Sequence, residues 1–172
     1  MSLADTAALV LAPYFVDSRL RHALHALCAR AYDFDAPLVA LRGENDSVLE
    51  LFHGPTAAFK DYAARFLAES LAELGASRDV EAPNGAPRRT PSTTILVATS
   101  GDTGAAVAGA FHRRPGFEVV ILYPEGRVSP RQAHGLECWG DNVRTFRVAG
   151  SFDDCQRMAK TALSDRDLRE RM

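Results

Sequence analysis

The 172-residue chain is short of cysteine, lysine, tryptophan and any excess of charge. Its three cysteines, Cys28, Cys138 and Cys155, are odd in number and form no CxxC pair. That excludes a disulfide framework and a thiolate zinc site, and it fits a reducing cytoplasm, where cysteines act as small semi-buried hydrophobes. His22, His25 and Cys28 share one helical stretch, but nothing specific supplies further ligands, so no metal is assigned. Twenty basic residues against 22 acidic ones leave a formal charge of −2. Such a balance carries no footprint for nucleic acid and no basic face for a membrane. The longest apolar runs, near residues 94–99 and 119–123, are far too short to span a bilayer, and no secretory hydrophobic region precedes them. Collagen, coiled-coil and transmembrane classes fall away on composition alone.

Two nucleotide signatures are missing as well. The glycines at 101, 104 and 109 have the wrong spacing for GxGxxG, and no GxxxxGK[ST] occurs. What remains is an ordinary globular composition, 47% hydrophobic and 24% charged, of a length that suits one domain.

The pattern along the chain alternates strand and helix. Asp17-Ser18 precedes apolar residues at helical spacing, which predicts an amphipathic helix over 19–32. Short β-type runs follow at 37–41 and 47–52, separated by the turn residues 43–46. Residues 56–74 read as a long helix stopped by Gly75, and the proline-bearing stretch 76–92 as an exposed loop. Strands are then expected at 94–99, 117–123 and 143–148, with helices at 103–112, 131–139 and 152–163. The strand runs ILVAT, VVILY and VRTFRV are nearly continuous in apolar residues, as in strands covered on both faces. Right-handed βαβ crossovers then give an α/β fold, a three-layer αβα sandwich around a small parallel sheet. The expected organisation is an N-terminal helical segment (1–36), strands with a lysine-bearing helix (37–75), the loop (76–92) and a βαβ sandwich (93–172), forming one compact unit.

In open α/β sheets ligands bind beyond the carboxyl ends of the strands. Ser100-Gly101-Asp102-Thr103-Gly104 follows an expected strand and opens a helix. Glycines permit close backbone approach, first-turn amides are free donors, and Ser100 and Thr103 add hydroxyls. The segment reads either as a cradle for a carboxylate or phosphate, or as a glycine turn capped by Asp102 or Thr103. A second segment, HGPTAAFKDY at 53–62, places Lys60 in the first turns of a helix capped by Thr56. Lys60 is the only lysine before Lys160, and the other eighteen basic residues are arginines. Next to Ala58 and Phe59 at a helix N-terminus, it suits a Schiff-base nucleophile. The alternative is a surface lysine paired with Asp61 or Glu69.

Together, HGPTAAFKDYAARF and ATSGDTGAAVAGAF closely resemble the lysine motif and serine-glycine loop of the threonine synthase family, fold-type II pyridoxal-phosphate enzymes. The resemblance runs on through ILYPEGRVSPRQAHGLECWGDNV and VAGSFDDCQRMAK, in the family's order, from about residue 38 to Lys160. It implies pyridoxal 5'-phosphate as cofactor, held covalently by Lys60 with Phe59 against it. It further implies that Ser100, Gly101, Asp102, Thr103 and Gly104 receive the substrate's carboxylate. Arg127, Ser129 and Gln132 lie in a GRVSPxQ-type block, near the substrate phosphate or in a packing turn, and His53 is a family-typical residue with a structural role. The implied reaction converts O-phospho-L-homoserine and water to L-threonine and phosphate, with Lys60 moving the α proton. Ala57, Tyr62, Ala63 and Ala64 depart from the family's frequent Leu, Phe, Gly and Gly, and the alanine methyls would crowd the cofactor side. After Lys160 comes a charged helical tail in place of the family's cofactor-phosphate loop. The resemblance therefore predicts a fragment of a larger enzyme, with weak cofactor binding and little turnover by itself. A related amino-acid dehydratase would share the same lysine and loop, and a non-catalytic αβα domain would keep the sandwich alone.

Overall fold

A computed structural model describes residues 1–43, 45–79 and 93–171. The chain resolves into two compact units rather than one, residues 1–88 and 89–172.

The first unit begins with α1 (Leu3–Leu11), inside the expected N-terminal helical segment 1–36 but ahead of the one helix placed there. Its start is written in Ser2 and Asp5, which form a reciprocal capping box: the Ser2 hydroxyl accepts from the Asp5 amide at 3.1 Å and the Asp5 carboxylate accepts from the Ser2 amide at 3.0 Å. The helix expected over 19–32 is shorter, a 3-10 turn (Arg21–Ala23) leading into α2 (Leu24–Ala31). Two strands, β1 (Leu38–Ala40) and β2 (Ser47–Leu49), pair antiparallel, and α3 (Lys60–Asp79) follows. Gly75 does not end α3, which continues to Asp79, so residues 76–79 of the expected loop are helical; its remainder, 80–92, lies outside the described residues.

Leu20, Leu24, Leu27, Cys28 and Ala31 are buried together with Ala64 and Ala68 of α3. Arg65 closes the last turn of α2: its guanidinium donates to the carbonyls of Ala31 (2.7 Å) and Arg30 (3.0 Å), which have no partner within the helix. Arg30 in turn bonds Glu69 at 2.6 Å and Glu73 at 3.0 Å, tying α2 to α3 a second time.

The second unit holds β3 (Thr93–Ala98), β4 (Phe117–Pro124) and β5 (Val143–Val148) in one parallel sheet of order β3-β4-β5. The crossovers are α4 (Asp102–Phe111) and α5 (Pro130–Glu137), and α6 (Phe152–Ser164) and α7 (Arg166–Arg171) follow β5. Along β4 side chains alternate between faces. Phe117, Val119, Ile121 and Tyr123 are buried on one face, where the Phe117 ring meets Phe111 of α4 at 5.1 Å. Leu122 points the other way and packs with Cys155 and Ala159 of α6, joined by Leu96, Val120 and Val148. Helices thus cover both faces of the sheet, as the apolar strand runs predict. All three strands carry their carboxyl ends to one edge, the edge from which the loops 99–101 and 125–129 depart. Among the described residues no helix is long and apolar enough to cross a membrane.

Candidate functional site

The residues singled out in the sequence fall in both units: Phe59 and Lys60 in the first, the 100–104 loop with Arg127, Ser129 and Gln132 in the second.

In the first unit the helix does not start at Thr56. Lys60 itself is the first residue of α3, and the preceding residues form a compact turn built on Asp61. The Asp61 side chain is 2% exposed. It accepts the Thr56 amide at 2.9 Å and the Thr56 hydroxyl at 2.7 Å, folding the chain back on itself. Thr56 therefore serves Asp61 and does not cap the helix. Gly54 is required here, because a Cβ at that position would sit 2.5 Å from Asp61 Oδ2. Ala57 sits in the left-handed region at φ 56°, a conformation that costs an L-residue about 1–2 kcal/mol. This turn presents Lys60, whose Nζ lies 3.9 Å from the centroid of the Phe59 ring, a cation–π contact. Phe59 is 59% exposed and Lys60 half-buried. The suggested pairings of Lys60 are taken up elsewhere: Asp61 holds Thr56, and Glu69 holds Arg30. Of the alanines that depart from the family, Ala64 is buried in the core and Ala63 is exposed. His53 is exposed, with Nε2 2.7 Å from Glu50 and its ring stacked on Phe52.

In the second unit neither Asp102 nor Thr103 caps α4. Gly101 occupies the cap position at φ 144°, with no side-chain cap bond. The loop is closed from within by Thr99, which the sequence pattern places only as the last residue of a strand. The Thr99 hydroxyl is buried, accepts the amides of Gly101 and Gly104 at 3.0 Å each, and contacts the Gly101 carbonyl at 3.2 Å. With those two amides engaged inward, the Asp102 and Thr103 amides are the remaining first-turn donors, beside the exposed side chains of Ser100 and Thr103. Paired donors at the positive end of a ten-residue helix suit an anionic group such as a carboxylate.

Ser129 caps α5: its hydroxyl accepts the Gln132 amide at 3.2 Å, and Gln132 Oε1 accepts the Ser129 amide at 3.1 Å. Arg127 is exposed in the loop before it. Nearby at the same sheet edge, Arg147 grips Glu137 with two bonds of 2.7 and 2.9 Å, and the Tyr123 hydroxyl also donates to Glu137. These donors hold the Glu137 carboxyl down at about 2, Arg147 being the larger cause, while burial pushes the Tyr123 phenol up.

An α/β sandwich with a glycine loop at the carboxyl edge of its parallel sheet, in a chain that also presents a lysine on a turn, offers donors that suit an anionic ligand and an amine that suits a carbonyl group. The comparisons with known proteins point the same way. Residues 37–169 match the family described as "Pyridoxal-phosphate dependent enzyme", and the chain belongs to that family. It is 46% identical over 140 residues to the threonine synthase of Serratia marcescens, covering 81% of this chain and 29% of that protein. The crystal structure of Escherichia coli threonine synthase superposes with a TM-score of 0.84 at 38% identity, over 98% of this chain and 36% of that one. A pyridoxal-phosphate-bound threonine synthase from Brucella melitensis gives 0.77 at 35% identity, over 96% of this chain and 34% of that one. The chain thus spans about a third of the length of the proteins it matches.

Proposed function

We propose that this chain carries the lysine turn and the substrate-carboxylate loop of a threonine synthase, which converts O-phospho-L-homoserine and water to L-threonine and phosphate. The observation that carries the reading is that one chain holds both a turn presenting Lys60 and a glycine loop that leaves the Asp102 and Thr103 amides as donors. The likeness to threonine synthases over nearly the whole chain supports it.

The residues present fit pyridoxal 5'-phosphate by their chemistry. A primary amine joins an aldehyde reversibly as a Schiff base, and Lys60 offers one beside the exposed Phe59 ring. When bound, the cofactor supplies an electron sink for the negative charge left on the substrate's α carbon. The chain's residues do the rest. Lys60 Nζ would hold the cofactor's aldehyde carbon at rest and, when free, would serve as the base that takes the α proton and later returns a proton. The Asp102 and Thr103 amides, with the Ser100 and Thr103 hydroxyls, hold the substrate's carboxylate. Gly101 and Gly104 let α5 pack close behind the loop, where a side chain would meet Gln132 or Leu136. Arg127 offers a cation for the substrate phosphate, and Ser129, which caps α5, adds a hydroxyl beside it in sequence. We place the protein in the cytoplasm, in amino-acid biosynthesis, and with a small molecule as its partner.

The test is phosphate release from O-phospho-L-homoserine by the intact, cofactor-loaded protein, compared with keto-acid formation from serine or threonine. Phosphate release that disappears in Lys60→Ala is expected. Keto-acid formation without phosphate release would assign a dehydratase instead.

A further inference from the structure

Helix α5 faces the 100–104 loop with three residues one turn apart. A Cβ on Gly101 would lie 2.5 Å from Gln132 Nε2, and one on Gly104 would lie 2.6 Å from Leu136 Cδ2. Between them, a Cβ built on Gly135 comes within 3.6 Å of the Ala105 Cβ. Positions 132, 135 and 136 share one helical face, and positions 101, 104 and 105 have the same spacing on the facing segment. The glycines of the loop are therefore sites where α5 itself comes close, besides any role toward a ligand.

One contact in this packing is polar and directional. Gln132 Nε2 donates to Asp102 Oδ1 at 3.1 Å, while Gln132 Oε1 accepts the Ser129 amide at 3.1 Å. The amide plane of one side chain is thus fixed at both ends, by the cap of α5 on one side and by the first residue of α4 on the other. The Asp102 amide is one of the two free donors of the loop, so whatever fixes the Asp102 side chain also steadies that donor.

We propose that Gln132 is a positioning residue: the amide bridge from the Ser129 cap to Asp102 sets the 100–104 loop for the substrate's carboxylate. This assigns the GRVSPxQ-type block a role through Gln132 that is separate from any contact with phosphate. It rests on the reading of the loop as a carboxylate site, and the test separates the two.

Gln132→Glu keeps the acceptor for the Ser129 amide and so keeps the helix cap. It places a second carboxylate against that of Asp102, turning attraction into repulsion. In the intact, cofactor-loaded protein the expected result is a rise in KM of about tenfold with kcat changed less than about threefold, as for lost substrate positioning. Independently of activity, amide hydrogen exchange in the segment 99–105 should quicken in Gln132→Glu. It should return toward the wild-type rate when Gln132→Glu is combined with Asp102→Asn. There the introduced asparagine donates its side-chain amide to the introduced carboxylate, and the bridge re-forms with reversed polarity. Arg131→Ala, an exposed neighbour on the same helix, should leave exchange at 99–105 unchanged. Wild-type exchange in Gln132→Glu, failure of the double variant to restore it, or faster exchange with an unaltered KM each overturns the proposal. A wild-type protein that releases no phosphate from O-phospho-L-homoserine overturns the functional reading instead, and the exchange measurements then still decide the role of Gln132.

Discussion

The carboxylate of Asp61 takes both the backbone amide and the hydroxyl of Thr56, at 2.9 and 2.7 Å, and thereby builds the turn that presents Lys60. Both bonds are charge-assisted, and the carboxylate is 2% exposed. Asp61→Ala leaves two donors of Thr56 without their acceptor and releases the left-handed Ala57. The expected loss of unfolding free energy is roughly 3 kcal/mol, the scale for breaking a buried charged network. Denaturant titration of the intact protein checks this, and the same variant should lose covalent cofactor binding. Asp61→Asn, which keeps one acceptor, should fall between the two.

Thr99 holds the glycine loop of the second unit in the same manner, from inside. Thr99→Val retains the shape and burial of the side chain but removes the oxygen that accepts the Gly101 and Gly104 amides. The Gly101 amide then lacks a partner, while the Gly104 amide keeps only the Gly101 carbonyl at 3.1 Å, a loss of about 1–3 kcal/mol. The measurable consequences are a lower thermal midpoint and a raised KM for the amino-acid substrate. Thr99→Ser, which restores the hydroxyl, should recover most of the KM effect.

At Gly104 the space itself is limiting. A methyl group there would meet Thr99 Cγ2 and Leu136 Cδ2 at 2.6 Å each, so Gly104→Ala must push α4 and α5 apart. Overpacking of this kind costs about 1–3 kcal/mol. Gly104→Ala combined with Leu136→Ala should be less destabilised than the sum of the two single variants, which a double-mutant cycle on unfolding free energies measures.

The acid limb of stability should carry the mark of Glu137. Arg147 and Tyr123 hold its carboxyl at about 2 in the folded protein, against an ordinary value of 4.5. Between those two values the unfolded chain binds more protons than the folded one. Stability from this group is present above pH 4.5 and is lost as pH falls toward 2. Glu137→Gln should flatten the dependence of the unfolding midpoint on pH across that window while leaving the neutral-pH slope unaltered. The Glu137 side chain is partly exposed, so the effect should shrink in high salt.

The sandwich was legible in the sequence because β3 and β4 are short, nearly continuous apolar runs between turn residues, and the more polar β5 still begins and ends where expected. The first turns around the site were less legible, for a physical reason. Thr56 looks like a helix cap by residue type, but the tertiary bond to Asp61 takes its hydroxyl and delays the helix to Lys60. Gly75 looks like a stop, yet a Cβ there would meet nothing within 4 Å, and the chain continues as helix. Thr99 ends a strand and so reads as a β-former; its role depends on a fold-back over five residues that no pattern announces. Three caps do carry a signal in residue spacing alone: Ser2 with Asp5, which starts α1, Ser129 with Gln132, which starts α5, and Ser151 with Asp154, which starts α6.

The central claim, that Lys60 is the amine that holds pyridoxal phosphate, is tested most directly by reductive trapping. The intact protein is mixed with pyridoxal phosphate, reduced with borohydride, digested and analysed by mass spectrometry. One stable phosphopyridoxyl adduct is expected, on the peptide that contains Lys60, and it should disappear in Lys60→Ala. An adduct on Lys160 or another amine that persists in Lys60→Ala, with none on Lys60, would contradict it.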